Sequence, residues 1–343
     1  MNFKLLFKVK FIVILCLLLT FSFMGCAPPE EGEEENGALD EQEENGAEDS
    51  PEDAPEIPEA IFTAPDEEPR LSVFFHEEDD VREMEFEEYI KGVVAGEMDP
   101  TWPKDALAAQ AIIARSFTMF KIAEDGGLPE RNAHASTDIQ EFQAYSEEDI
   151  TDEVEQAVED TRGEIAIHEG NFIRAWFHAF AGPRTATAEE GLGFAEEEPP
   201  YIQIVDSPAM DIIPEEERDW EETFTTQELS QAAEAVTGES PQGEFDVEII
   251  EEGPSGRAVL LEMGGVEVPA PELRIELGSE VMRSTFYEEI ESQDNEIRFS
   301  GVGFGHGVGM CQWGAKALVQ EDNAPEDVVT YFYDNVRIVN LWE

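Results

Sequence analysis

Positive charge is scarce in this chain: 20 Lys and Arg stand against 81 Asp and Glu, a formal net charge of −61. Phosphate backbones are held by clustered Lys and Arg, and no such cluster occurs, so nucleic acid is strongly disfavoured as a partner. Cysteine is almost as rare, with three in 343 residues. Cys16 lies within an N-terminal apolar run and Cys26 just after it, which leaves Cys311 without an intrachain partner. Disulfide scaffolds and paired-cysteine zinc motifs are thereby excluded, and stability has to come from an ordinary apolar core. Beyond about position 70, roughly 270 residues remain, enough for one large domain or two closely packed lobes.

The acidic excess is dispersed along the chain, while the apolar fraction stays at 41%, so wholesale disorder is not expected. Self-repulsion on this scale opposes a compact state in dilute buffer. At ~1 M salt the Debye length falls to about 3 Å and most of that penalty disappears. The composition is read as adaptation to high salt.

Lys4, Lys8 and Lys10 precede an unbroken apolar run from Phe11 to Leu19 that continues to Met24. At roughly 14 residues the run is shorter than the ~20 that span a bilayer, which favours a secretory signal over a permanent membrane helix. Phe23-Met24-Gly25-Cys26 resembles a lipobox, with Phe23 where Leu is usual. The expectation is a lipoprotein signal over 1–25 and lipidation at Cys26, placing the chain on the extracytoplasmic face of the membrane. Simple secretion with an incidental Cys26 is the alternative. Residues 26–70 read as an acidic disordered linker, since from 27 to about 60 they hold no Lys or Arg and only isolated apolar side chains. Such a segment would hold the folded part, 71–343, away from the membrane.

Leu71 to Phe75 reads as a strand and Val81 to Phe86 as its continuation. From Phe86 the period changes. Phe86, Tyr89, Ile90, Val93 and Val94 form the stripe of an amphipathic helix that Gly96 and Pro100 end. A second, alanine-rich helix opens at Pro103 and runs to about Ile122. The two make a hairpin with Glu97 at the bend.

Two long motifs then stand out. The first is Tyr89-Ile90-Lys91-Gly92-Val93-Val94-Ala95-Gly96-Glu97-Met98, followed by Trp102-Pro103 and by Ala106 through Ser116. The second is Gly301-Val302-Gly303-Phe304-Gly305-His306-Gly307-Val308-Gly309-Met310-Cys311-Gln312-Trp313-Gly314-Ala315, followed by Tyr331-Phe332-Tyr333. Between them come Gln143-Ala144-Tyr145, Phe177-His178, Gly182, Thr185, Pro200-Tyr201 and Val205-Asp206. Together these resemble the stage II sporulation protein D family and the related amidase enhancers over most of residues 81–340. The resemblance implies a lytic transglycosylase that cleaves the MurNAc–GlcNAc bond of peptide-free peptidoglycan strands and leaves a 1,6-anhydro end. It implies Glu97 as the catalytic residue, glycan strands and a cell-wall amidase as partners, and no cofactor. Its enhancer branch implies the rival, a non-catalytic glycan-binding partner of an N-acetylmuramoyl-L-alanine amidase.

The chemistry is consistent with one carboxyl group. Intramolecular attack by the sugar 6-hydroxyl needs a group that first gives and then takes a proton, and no carboxylate nucleophile. Glu97 stands at a helix C-terminus beside Met98 and Trp102, surroundings that disfavour its charged form. From spacing alone it could equally be one more surface acid. Substrate contacts are assigned to Arg115, Gln143, Tyr145, His178, His306 and Gln312. Arg115 and Gln110, polar in an aliphatic helix, must be paired if buried, either by orienting Glu97 and holding substrate or by packing on a loop carbonyl.

The alternating glycines from Gly301 to Gly309 read as a ligand-lining loop whose N–H groups bind sugar, with a tightly packed turn as the alternative. Trp102, Tyr145 and Trp176 could stack on sugar rings or be core. Cys311 reads as a small buried residue. Some relatives hold zinc before the position of Gln143; here His134 alone survives of the soft ligands, so no metal is assigned. Residues 189–251 resemble the family less. A helix over Thr226 to Ala235 and strands over Phe245 to Ile250, Ala258 to Met263 and Val266 to Val268 suggest a smaller mixed lobe, and the fold class is α+β.

If charge repulsion limits stability, the melting temperature of the purified protein rises as NaCl is raised from about 0.1 M to 1 M. A melting temperature that stays flat or falls over that range refutes the high-salt reading.

Overall fold

A computed structural model describes residues 54–65, 67–242 and 245–343. The expected signal, Cys26 and most of the expected linker lie outside the described residues. Packing reaches back past the expected boundary at 70, because Ile61 finds a place in the main core. Glu68 is also anchored: it accepts the Glu87 N–H at 2.7 Å and pairs with Arg162.

The apolar run from Leu71 forms β1 (Arg70–Phe75), and a tight turn returns the chain as β2 (Asp80–Glu85), antiparallel with Val73 opposite Arg82. α1 (Phe86–Glu97) follows directly, and its buried stripe is the one the spacing predicts. α2 (Lys104–Asp125) begins after Pro103, which is its N-cap and not a first-turn residue. It runs past Ile122 to a left-handed Gly126 at φ 71°.

Next come β3 (Ala135–Ser136), α3 (Asp152–Asp160), β4 (Glu164–His168), β5 (Asn171–Phe172), β6 (Phe177–His178) and two short helices, α4 (Ala188–Leu192) and α5 (Glu215–Arg218). The smaller lobe comprises β7 (Asp219–Thr225), α6 (Thr226–Thr237), β8 (Val247–Glu252), β9 (Ala258–Met263), β10 (Val266–Pro269), α7 (Ala270–Leu277), β11 (Tyr287–Gln293) and β12 (Glu296–Val302). The chain returns through β13 (Met310–Cys311), α8 (Gln312–Gln320), α9 (Pro325–Phe332) and β14 (Arg337–Asn340).

The fold is α+β, as expected. Small sheets β2-β1-β3, β14-β4-β5 and β13-β6 surround the helices, while β11-β12-β7 and β10-β9-β8 build the lobe. The lobe has its own core of Leu229, Leu261, Leu273, Met282 and Phe299. By length and composition α2 could cross a bilayer, yet 78% of its apolar window is buried inside this fold, with α1, α3, α8, α9 and β4 packed around it. It is the central core helix.

One charged pair is sealed in that core. Arg115 on α2 donates from Nε and Nη2 to Glu87 Oε2 on α1, at 2.9 and 2.8 Å, and from Nη1 to Thr161 Oγ1 at 3.2 Å. Its Nη2 also reaches the Val158 carbonyl at 2.8 Å. Glu87 Oε1 accepts the Gly163 N–H at 3.0 Å and the Trp342 indole N–H at 2.9 Å. With the two side chains 0% and 3% exposed, neither charge can find water if its partner is lost. Glu87→Ala is therefore expected to cost about 3–5 kcal/mol in urea unfolding at high salt; a loss under about 1 kcal/mol, the level of an exposed pair, would show that the pair is not holding the helices.

Candidate active site

Glu97 ends α1, and what surrounds it is decided by two glycines earlier on the same helix. A Cβ on Gly96 would come within 2.6 Å of the Tyr145 nitrogen and 2.8 Å of the Ala144 carbonyl carbon, and one on Gly92 would overlap the Tyr145 ring. Glycine at both positions lets the 143–145 segment cross the helix in direct contact. That crossing delivers the Ala144 N–H to Glu97 Oε1 at 2.7 Å. Gln312, at the start of α8, lies close enough for its side chain to favour the ionised form of Glu97. Gln312 in turn donates from Nε2 to Gln110 Oε1 at 3.3 Å, so a relay from the core of α2 orients the carboxyl. Gln110, one of the two polar residues of this aliphatic helix, is thus paired through Gln312.

Burial pushes the Glu97 carboxyl up to about 7, against the Ala144 and Gln312 hydrogen bonds, which both favour the ionised form. Part of the side chain stays open to solvent. Near neutrality, then, the group can both give and take a proton. Asp99, two residues on, behaves differently: it accepts from Thr101 N–H and Oγ1 at 2.9 and 2.7 Å, and those bonds hold it below the usual carboxylate range.

Two indoles pack together from the segments that follow Glu97 and Gln312. Trp102, from the segment after Glu97, meets Trp313 of α8 with ring centroids 4.7 Å apart and planes at 60°. The Lys316 ammonium lies 4.3 Å from both rings. Sequence reasoning passed over Lys316; its signal was its place one helical turn after Gln312.

The other expected contacts divide. Tyr145 is half-buried, stacked on Tyr89 at 5.9 Å and set edge-on to Phe75 at 5.6 Å, so much of its ring serves packing. Gln143 is buried beneath the crossing segment and donates to Thr118 Oγ1 at 3.0 Å. Arg115 is not at the site: all its traced bonds go to Glu87, Thr161 and Val158, and the expectation of a substrate contact gives way to a structural one. Trp176 packs edge-on against Phe194 in a separate cleft. His134 accepts the Ser72 N–H through Nδ1 at 3.1 Å.

The glycine block also has a different basis from the ligand-lining one expected. Gly303, Gly305, Gly307 and Gly309 have φ of 99°, 109°, 83° and 72°, a region costly for other residues. Added Cβ atoms would meet the Phe180 and Trp176 carbonyls, the His178 side chain and the Arg257 guanidinium. Several N–H groups already have protein acceptors, among them Phe304 to Phe180, Gly305 to Arg283 and Met310 to Trp176. The tightly packed turn is the better description.

His306 accepts the Val308 N–H at 3.1 Å, and burial pushes it down to about 3, so it is neutral. His178, its ring 5.5 Å away, bonds the Val308 carbonyl through Nδ1 at 3.2 Å, and burial lowers it likewise. Its Nε2 has no partner among the described residues. Beneath Gly307, buried Arg257 bonds the Arg184 and Ala181 carbonyls and Ser255, a support invisible from spacing. Cys311 is fully buried, burial raises its thiol, and its sulfur caps α8 by accepting the Gly314 N–H at 3.2 Å.

Fold and site together define an α+β protein that holds one protonatable carboxyl at the bend of a helical hairpin. Within that class the chain belongs to the stage II sporulation protein D family. A family model described as stage II sporulation protein matches residues 75–168, and one described as a domain of unknown function matches 214–309. Stage II sporulation protein D of Bacillus subtilis (strain 168) is 30% identical over 271 residues, 75% of each chain. An uncharacterized protein of Brachyspira hyodysenteriae is 31% identical over 261 residues, 76% of this chain and 68% of its own. The amidase enhancer of Bacillus subtilis is 23% identical over 294 residues, 73% of this chain and 40% of the enhancer.

The raised Glu97 pKa has a stability consequence. The folded state binds this proton more tightly than the unfolded one, so the associated stability is present at low pH and is lost as pH rises from about 4.5 through about 7. Glu97→Gln is expected to melt a few degrees above the wild type at pH 8, given roughly 2–4 °C per kcal/mol. The gap should close toward pH 5. A gap independent of pH would mean that the carboxyl is not held neutral.

Proposed function

We propose that this protein is a lytic transglycosylase acting on peptide-free peptidoglycan strands, anchored by lipid at Cys26 on the outer face of the membrane and working in cell-wall remodelling or sporulation. The supporting observation is a single carboxyl group poised near pH 7 by burial and held by the Ala144 N–H and Gln312, with a pair of indoles suited to sugar faces in the segments that follow Glu97 and Gln312. Relatives named for sporulation and for amidase enhancement agree with an envelope role.

In the forward step Glu97 donates its proton to the glycosidic oxygen as the bond from C1 of MurNAc to that oxygen breaks. The C6 hydroxyl then closes on C1, and the Glu97 carboxylate takes the hydroxyl proton, which returns the enzyme to its starting state. Positive charge developing on the ring is met by the carboxylate that proton donation has just created. The Ala144 N–H and the Gln312 side chain steady that carboxylate, so both protonation states are held in one geometry. Asp99 is fixed by Thr101 and held low, which suits it to neither proton-transfer role.

The second reading, a glycan-binding enhancer of an amidase, draws on the similarity to the protein of that name. One assay separates the two. Folded protein is incubated with peptide-free glycan at high salt and the products are weighed by mass spectrometry. Anhydro-MurNAc ends from the wild type are expected to fall about 10²–10⁴-fold in Glu97→Gln while glycan binding is kept. Binding with no such ends from the wild type would favour the enhancer.

A further inference from the structure

Most described Lys and Arg side chains sit against a carboxylate, as in the pairs of Arg82, Lys104, Arg131 and Arg298. Buried Arg257 and Arg274 bond backbone carbonyls. Among the described residues Lys316 has neither kind of partner: its ammonium lies over the Trp102 and Trp313 indoles, 4.3 Å from each ring, partly open to solvent. In a chain of net charge −61, an ammonium left without a carboxylate is a cation kept available.

Its position is as specific as its surroundings. Gln312, which bonds Glu97, and Lys316 are at i and i+4 on α8, so they lie on one face of the helix a single turn apart. Trp102 comes from the segment that follows Glu97, and Asp99 in that segment feels the Lys316 charge in addition to the dominant Thr101 hydrogen bonds. The two indoles desolvate the stem, limit its rotamers and hold the charge on the side of α8 that carries Gln312.

We propose that Lys316 selects glycan whose muramic acid carries a free lactyl carboxylate, by pairing its ammonium with that group. The assignment rests on the glycan-cleaving reading of the Glu97 site. A strand bearing stem peptides presents an amide where a peptide-free strand presents a carboxylate, and a fixed cation separates the two where a neutral donor would accept both. The global field works the other way. A protein this acidic repels an anionic strand, so without a local cation the uncharged strand would be preferred.

The test compares peptide-free glycan strands with the same strands after their lactyl carboxylates are converted to methylamides. Binding and anhydro-end formation are measured at one fixed high salt concentration for the wild type, Lys316→Met, Lys316→Gln and Lys316→Arg, each checked for wild-type melting. The wild type is expected to favour the free carboxylate by about tenfold, the scale of one hydrogen bond to a charged group. Lys316→Met and Lys316→Gln should lose or reverse that ratio, and Lys316→Arg should keep it; a purely structural lysine would not move it. Equal or better binding of the methylamide by the wild type overturns the assignment, as does a ratio unchanged in the Met or Gln variant. Carboxylate-dependent binding without anhydro ends overturns the transglycosylase reading and leaves Lys316 in its role. Equal cleavage of both strands does the reverse, and no binding to either overturns both.

Discussion

The buried pair of Glu87 and Arg115 is the contact on which the rest of the molecule turns. It joins α1 to α2, takes in the end of α3 through Val158 and Thr161, and closes on Trp342 near the C-terminus. An isolated pair in an apolar interior seldom offsets its own desolvation. This one is surrounded by further donors and acceptors, which is the condition under which such a pair becomes a fixed joint. Glu97 lies on the same helix as Glu87, roughly 15 Å farther along at 1.5 Å per residue. A rigid α1, pinned at one end, therefore sets where its other end presents a carboxyl group.

The site itself works by contrast with the surface. Acid covers the exterior, whereas one glutamate is partly withdrawn from water and pushed into the neutral range. The same burial acts on His178 and His306 in the opposite chemical sense and leaves both uncharged beside the glycine-rich turn. Cations are placed with equal economy. Arg115, Arg257 and Arg274 are inside as structural ties, and most of the exposed ones are neutralised by neighbouring carboxylates. Among the described residues Lys316 forms no ion pair with a carboxylate and stands instead against the Trp102 and Trp313 indoles.

Much of this was legible in the residues. Period and capping placed the helical hairpin, and the strands over Ala258 to Met263 and from Val266 were placed to within a residue. The glycine block announced a special backbone, but alternating glycine reports only that something approaches closely. Whether that something is a sugar or the chain's own Phe180 and Trp176 carbonyls cannot be told from spacing. Arg115 fails for a related reason: a polar residue in an apolar helix signals that a partner exists, and the partner here comes from α1. Ile61 and Glu68 fall within the proline-rich, acidic stretch that reads as linker, yet Ile61 packs into the core and Glu68 bonds the start of α1.

Composition, periodicity and motif order by themselves determined the α+β class, the hairpin with Glu97 at its bend and the excess negative charge. Those properties are local or additive, and they survive in any arrangement of the segments. Tertiary structure alone decided that Ala144 and Gln312 reach Glu97, that Gln110 supports Gln312, that Arg115 belongs to Glu87 and that Lys316 lies against the Trp102 and Trp313 indoles. Each of these joins residues far apart in the chain, and their meeting depends on how α1, α2 and α8 pack, which no single stretch of sequence encodes.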